Sequence, residues 1–178
     1  MKVHEQHKEE GPKTINIALV IVSTSRFEEQ QLEKETSDKT IPLVKEIIDN
    51  NKEIFLKQSE IIPDSNINIR EVLKKYLKED SINSIIFSGG TGLSKKDITY
   101  ETIQPLLEKE LIGFGEIFRF LSYQKIGVAA ILSRATAGKI RDKMIFLLPG
   151  SPNAIKLALN KIIIPEIKHM IYIINKKE

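Results

Sequence analysis

Ile82-Asn83-Ser84-Ile85-Ile86-Phe87-Ser88-Gly89-Gly90-Thr91-Gly92 is a short apolar run that ends in a glycine loop. An apolar run of this length, rich in isoleucine, reads as a buried strand. Glycines let the backbone approach a ligand closely, or adopt positive φ, where a Cβ would clash. A strand ending in such a loop offers free backbone N–H groups to an anion. Two readings are open on these residues alone: a phosphate cradle, or a tight turn after a strand. Lys95, Lys96 and Asp97 follow at once and lead towards a helix.

Outward from this unit, strand and helix patterns alternate. Ile15 to Val22 is a nearly continuous apolar run, the mark of a strand buried on both faces, and Ser23-Thr24-Ser25-Arg26 is the turn at its carboxyl end. Residues 27–36 are polar without an apolar period and predict a flexible loop. Ile41, Val44, Ile47 and Ile48 have helical spacing within Ser37 to Asn50. A second strand, Ile54 to Ile62, alternates more and belongs nearer a sheet edge. Pro63-Asp64-Ser65-Asn66 then turns into a helix carrying Ile69, Val72, Leu73, Tyr76 and Leu77 on one face. Beyond the glycine loop, Ile98 to Leu111 has a helical pattern whose regular part starts just before Pro105. A Gly113-Phe114-Gly115-Glu116 turn opens a helix running to about Tyr123. Val128 to Ser133 and Met144 to Leu148 are strand-like, with a polar loop around Ala137-Gly138 between them. In Pro149-Gly150-Ser151-Pro152-Asn153, Ser151 is an N-cap with Pro152 at the first helical position. The last helical region runs to about Asn175 and breaks or restarts at Pro165.

This alternation predicts an α/β fold, a three-layer sandwich with a mostly parallel central sheet. The domain comprises residues 14–178, behind a flexible leader of residues 1–13. In such sheets ligands sit outside the carboxyl ends of the strands. The Ser23 turn, the Asp64 turn, the glycine loop and the Pro149 loop all belong on that side.

Composition narrows the chemistry. The chain of 178 residues is 41% hydrophobic and 29% charged, ordinary for a globular domain. A net charge of +3, from 27 basic and 24 acidic residues and without a basic stripe interleaved with aromatics, gives no case for nucleic acid. No cysteine is present, which excludes disulfides, thiolate catalysis and cysteine-bound metal. His4, His7 and His169 form no ligand pair with a nearby carboxylate, which argues against zinc and against a histidine base. No apolar run reaches membrane-span length and no signal-peptide core is present, so a cytoplasmic protein is expected.

Asp64 and Asp97 each follow a strand or strand loop and so converge on one crevice. Two carboxylates beside a glycine loop suit a Mg²⁺–triphosphate site, because the ion prefers hard oxygen ligands. Asp64 has a competing role as a cap for the helix behind it, and Asp97 as a surface turn residue. Lys95 and Lys96 would neutralise phosphate, or simply be solvated. The loop is neither a Walker sequence nor a Rossmann fingerprint, since neither spacing is met.

Five short motifs in order carry a resemblance that spans Ile15 to about Met170. They are Ile62-Pro63-Asp64; Ser88-Gly89-Gly90-Thr91-Gly92 with Lys96-Asp97-Ile98-Thr99; Gly113-Phe114-Gly115-Glu116 with Arg119; Leu132-Ser133-Arg134-Ala135 with Ala137-Gly138; and Leu148-Pro149-Gly150-Ser151-Pro152-Asn153-Ala154. Together they resemble the MoaB and MogA proteins of molybdenum-cofactor biosynthesis, a family that includes the matching domain of gephyrin. The Gly-Phe-Gly-Glu block and Leu121-Ser122-Tyr123-Gln124-Lys125-Ile126-Gly127 look closest to the MoaB branch.

The resemblance implies a molybdopterin-binding fold that adenylylates molybdopterin with Mg-ATP and releases pyrophosphate. It assigns catalysis and Mg²⁺ to Asp64 and Asp97. It assigns substrate and phosphate contacts to Ser23, Ser88, Gly89, Gly90, Thr91, Gly92, Lys96, Glu116, Ser133, Arg134, Pro149, Gly150, Ser151 and Asn153. The alternative is a non-catalytic molybdopterin carrier in the same pathway. Homo-trimers or homo-hexamers are implied too, with the leader or the late helix around Ile162 to Ile174 as the deciding surface, and a molybdenum-insertion protein as a partner. Three positions depart from the family pattern. Thr24 stands where an aspartate is common, Glu35-Thr36-Ser37-Asp38 lacks the usual glycine, and Tyr100 replaces a proline.

Overall fold

Strand β1 (Ile15–Val22) explains the layering, because it is apolar at every position but Asn16 and almost wholly buried. Side chains alternate across a strand. Ile17, Leu19 and Ile21 enter one apolar cluster, and Ala18, Val20 and Val22 enter a second. Both faces must therefore be covered by helices. The computed structural model describes residues 10–32 and 36–176.

The remaining strands are β2 (Ile54–Ile62), β3 (Ser84–Ser88), β4 (Lys109–Glu110), β5 (Thr136–Ile140) and β6 (Lys143–Leu148). They form one sheet in the order β2-β1-β3-β6-β5-β4. The β2, β1, β3 and β6 pairings are parallel, and those of β5 with β6 and of β4 with β5 are antiparallel. β2 is an edge strand, as its sequence pattern predicts, buried at Ile54 and at Ile61 and Ile62 and partly exposed between them.

The helices are α1 (Thr24–Gln31), α2 (Thr40–Asp49), α3 (Asn66–Leu77), α4 (Thr99–Ile103), α5 (Ile112–Ile126), α6 (Pro152–Ala158) and α7 (Ile164–Asn175). Val44 and Ile48 of α2, Phe114 and Phe118 of α5, Ile155 of α6 and Ile167 and Ile171 of α7 pack on one face. Ile69, Leu73 and Tyr76 of α3 and Ile103 of α4 pack on the other. The α/β sandwich with a mostly parallel sheet is therefore the observed architecture.

Several local expectations are corrected. Residues 27–31 are not loop but the end of α1, a helix with no buried residue and only Phe27 leaning on the core. A helix without an apolar stripe carries no periodic signal. Ile98 to Leu111 is not one helix: α4 stops at Ile103, Gln104–Leu106 is a 3₁₀ turn containing Pro105, and β4 follows. The proline removes a backbone donor and disfavours helix before it, so it ends the helix instead of beginning it.

Gly113 to Glu116 lies inside α5, whose Phe114 ring stands 6.3 Å from Phe118 and 5.2 Å from Phe146. That aromatic packing outweighs the roughly 1 kcal/mol cost of each interior glycine. Val128 to Ser133 is a 3₁₀ segment, Gly127–Leu132, and the expected polar loop around Ala137-Gly138 is strand β5. β5 is fixed by its tight hairpin to β6, a tertiary pairing that overrides weak strand propensity.

The last helical region runs on from α6 to α7 through a π turn at Leu159–Ile163, where the i→i+5 ladder accommodates Pro165. Its apolar residues Ile162, Ile163, Ile167 and Ile171 are buried in the core, and Ile173, 49% exposed, is what this helix leaves for the oligomer surface expected from sequence. Of the leader, residues 1–9 lie outside the described residues, and Glu10 accepts a hydrogen bond from the Tyr172 hydroxyl at 2.6 Å.

Candidate active site at the carboxyl ends of the sheet

Register places the site. Val22 is level with Ile62, Ile21 with Ser88, and Ser88 with Leu148. Four parallel strands thus finish side by side, and their loops meet where α/β sheets bind ligands. A cleft of about 760 Å³ opens there. Ser23, Asp64, Gly89, Gly90, Thr91, Gly92 and Asp97 line it, as do Ser133, Arg134, Pro149, Gly150, Ser151 and Asn153. The α5 face of Phe118, Ser122, Lys125 and Ile126 forms the opposite wall.

The glycine loop is shaped by close approach. Gly90 has φ +63°, and a Cβ there would lie 2.3 Å from Thr99 Oγ1 and 3.0 Å from Asp64 Oδ1. Gly89 has φ +108° and faces the Val22 carbonyl so closely that a Cβ would fall 2.2 Å from its oxygen. Only glycine fits either position. Gly89 N–H donates to the Leu148 carbonyl at 3.0 Å, so it is committed to β6 and is not part of a cradle. Gly90, Thr91 and Gly92 line the cleft, and among the described residues no hydrogen bond is donated by their N–H groups. Adjacent amides without acceptors are an anion-binding arrangement.

Each carboxylate is held from one side. Asp64 Oδ2 accepts hydrogen bonds from Thr24 N–H at 2.9 Å and Thr24 Oγ1 at 3.1 Å, while Asp64 N–H donates back to Thr24 Oγ1 at 3.0 Å. Asp64 does not cap α3, whose N-cap is Ser65. The departure at Thr24 thus supplies a donor where an aspartate would set a like charge against Asp64. Asp97 Oδ2 accepts from Ser94 N–H at 3.1 Å and packs under Gly92. Asp64 and Asp97 accordingly stand at Gly90 and Gly92, the two ends of the free-amide stretch.

Arg134 is a strut. Its Nε donates to the Thr91 carbonyl at 2.9 Å and one terminal nitrogen to the Gly92 carbonyl at 2.6 Å. Its guanidinium pairs with Glu101 and lies 4.8 Å from the centre of the Tyr100 ring. Tyr100, the third departure, is the platform on which Arg134 stacks. The Arg134 hydrogen bond, foremost, holds the Glu101 carboxyl below the usual glutamate range. Asp38, in the second departure, accepts from Ile41 N–H at 2.8 Å at the start of α2 and from Arg26 at 3.2 Å. Glu35 lies outside the described residues.

Three residues expected at the site are not in the lining. Ser88 is buried and donates to the Pro149 carbonyl at 3.2 Å, bracing two loops. Lys96 is exposed in the turn closed by Asp97 N–H bonding to the Ser94 carbonyl at 3.0 Å, beside the lining residue Asp97. Glu116 lies two positions before Phe118, on the far side of α5, since i and i+2 do not share a helix face. Sequence reasoning missed Arg26, Ser122 and Lys125. For the last two the signal was present, because 118, 122, 125 and 126 follow helical spacing and so share one face.

The donor set fits a Mg²⁺–phosphate group better than a resident metal. Among the described residues no three His, Cys, Asp or Glu side chains cluster, as a protein-only cage would require. Asp64 and Asp97 offer hard oxygens beside a space that glycine keeps open, and the buried Thr99 Oγ1 there has no partner. Magnesium ordinarily takes one or two carboxylates and completes its shell from substrate phosphates and water.

The fold and cleft define an α/β protein with its candidate ligand site at the carboxyl ends of the parallel strands of a mixed sheet. Residues 18–169 match the family described as "Probable molybdopterin binding domain", and the chain belongs to that family. It is 39% identical over 176 residues to molybdenum cofactor biosynthesis protein B of Bacillus cereus, covering 97% of this chain and 98% of that one. The Staphylococcus aureus protein of the same name is 47% identical over 128 residues, covering 71% and 76%. The crystal structure of the tungsten cofactor synthesizing protein MoaB of Pyrococcus furiosus superposes with a TM-score of 0.78 at 35% identity, covering 93% and 99%. Among the described residues no helix is long and apolar enough to cross a membrane.

Proposed function

We propose that the chain acts in molybdenum cofactor biosynthesis as an adenylyltransferase: the terminal phosphate of molybdopterin attacks the α-phosphorus of ATP, a P–O bond forms, and pyrophosphate leaves. The observation that carries this reading is the placement of Asp64 and Asp97 at the two ends of a run of acceptor-free amides in one cleft. A phosphate nucleophile is ionised at neutral pH, so the protein's task is to hold two anions in line against their repulsion. Mg²⁺ brought with ATP would be held by Asp97 and Asp64, and it supplies neutralisation of charge on the phosphate oxygens. The amides of Gly90, Thr91 and Gly92 seat a phosphate. Lys125, which has no ion pair among the described residues, supplies the mobile cation first expected from Lys96.

Incubation with Mg-ATP and molybdopterin tests the proposal through formation of adenylylated pterin and pyrophosphate. Asp97→Asn is expected to lower the rate at least about 100-fold, the scale of a lost electrostatic contact at a transition state. Unchanged turnover would refute the assignment, and pterin binding without product in the unaltered protein would make it the carrier.

A homo-oligomer belongs to the same reading. Ile117, Phe120, Tyr123, Ile126, Val128 and Ile131 expose from 52% to 75% of their surface along α5 and the 3₁₀ segment behind it. Apolar faces of this extent on a soluble domain mark association sites. Light scattering on Phe120→Glu with Ile131→Glu is expected to report monomer where the unaltered chain reports trimer or hexamer.

A further inference from the structure

At the other end of the sheet, α3 and its C-cap carry three cations on one face, Arg70, Lys74 and Lys78, at i, i+4 and i+8. Leu73, Leu77 and Leu106 floor a groove of about 270 Å³ beside them, and Arg141 closes its rim. No carboxylate lines this groove. Like charges four apart weaken a helix instead of supporting it. On the neighbouring face Lys75 is paired with Glu60 at 2.8 Å, and Lys139 and Lys168 each meet a glutamate at 3.0 Å. Among the described residues Lys74 and Lys78 form no ion pair, Arg70 Nε donates only to the neutral Asn66 Oδ1 at 2.8 Å, and Arg141 has Glu108 against its backbone without a direct ion pair.

Arg141 also occupies a strained position. It has φ 55°, the sole positive φ outside glycine among the described residues, in a hairpin turn that ordinarily takes glycine or asparagine. Its backbone is pinned there: Arg141 N–H donates to Glu108 at 2.9 Å and Lys139 Nζ to the Arg141 carbonyl at 3.0 Å.

We infer that this groove is a docking surface for an acidic segment of a partner protein that carries an apolar side chain between its carboxylates. The rim selects negative charge, and the leucine floor selects against a bare polyanion, which would leave that floor wet. Arg70 to Lys78 spans roughly 12 Å at 1.5 Å per residue, the length of about two helical turns of a partner. α3 starts behind Asp64 at the cleft and ends at Leu77 with Lys78 as its C-cap, and Arg141 sits on the hairpin at the opposite end of the sheet. A partner seated there leaves the cleft open, so docking and ligand binding are compatible.

The test uses the whole chain and a helical peptide of about 12 residues, with glutamates at i, i+4 and i+8 and one phenylalanine between them. Backbone NMR shifts on titration are expected to cluster in α3 and at Ile140 to Asp142. Lys74→Glu with Lys78→Glu, both exposed, is expected to weaken binding at least about tenfold, while Lys45→Glu with Lys52→Glu on the other face leaves it within about twofold. Replacing the peptide's phenylalanine by serine is expected to cost about tenfold, the loss of one buried aromatic. Absence of binding, equal weakening by both charge-reversal pairs, indifference to the phenylalanine, or tighter binding of RNA or phosphatidylglycerol vesicles at the same groove would each overturn the inference.

Discussion

Arg134→Met retains most of the side chain's apolar stem and removes the fork that ties the glycine loop to β5. Two charge-assisted bonds are lost, to the carbonyls of Thr91 at 2.9 Å and Gly92 at 2.6 Å. Bonds of this type contribute about 1.5–3 kcal/mol each, and the lower figure applies because the Arg134 side chain keeps 25% of its exposure. The Glu101 pair adds little, since Glu101 is 53% exposed. About 3 kcal/mol of loop order is therefore at stake, equivalent to about 100-fold in turnover if it passes fully to the reacting geometry. Arg134→Lys keeps the charge without the fork and restores one bond at most, for a loss of about tenfold.

Initial-rate adenylylation, paired with hydrogen exchange of the loop amides, measures this. Exchange is expected to accelerate in step with the fall in kcat. Unchanged exchange with a rise in KM alone would show that Arg134 holds substrate, and would refute the strut. Acid provides an independent check. Because Glu101 has a lowered pKa, its support is fully present above the ordinary glutamate range, near pH 4.3, and is lost as pH falls through the lower folded value. Loop protection should fall only slightly in acid through this exposed pair in the unaltered protein, and this small limb should be absent in Glu101→Gln.

Gly90→Ala forces a Cβ to within 2.3 Å of Thr99 Oγ1 at φ +63°. It should cost about 2 kcal/mol, roughly 4–8 °C in Tm, and abolish nucleotide binding measured by calorimetry. Lys125→Gln should raise KM for the phosphate-bearing substrates about fivefold at low salt, with less effect at high salt and none on Tm. Burial, and then the hydrogen bond to Glu60, push the Tyr76 hydroxyl well above its ordinary pKa. Its contribution is fully present below about pH 10, the unfolded value, and is lost as pH rises beyond that. In denaturant melts Tyr76→Phe should be less stable by about 1 kcal/mol at pH 7, yet decline less steeply in alkali.

The layered α/β fold was legible because β1, β3 and β6 are apolar runs and α2 and α3 carry clean helical stripes. Where those signals were missing, the reading failed. α1 has no apolar face, β5 reads Thr-Ala-Gly-Lys-Ile, and the exposed apolar run Val128 to Leu132 mimics a strand. In each case the conformation is decided by what the segment packs against or pairs with.

The site divides in the same way. By itself the sequence determined which residue types stand at the strand ends: glycines where no Cβ fits, aspartates two residues after β2 and five after Gly92, and Ser151 as a cap. Local geometry follows from such residues because φ preferences and capping act within a few positions. Only the tertiary structure decided what each side chain touches. It bound Gly89 to β6 and left the next three amides free, left Lys96 and Glu116 out of the cleft lining, brought Lys125 in from α5, and made Arg134 a brace for the loop. Those outcomes depend on contacts between residues far apart in the chain, such as Arg134 with Thr91, 43 positions away, which no local pattern encodes.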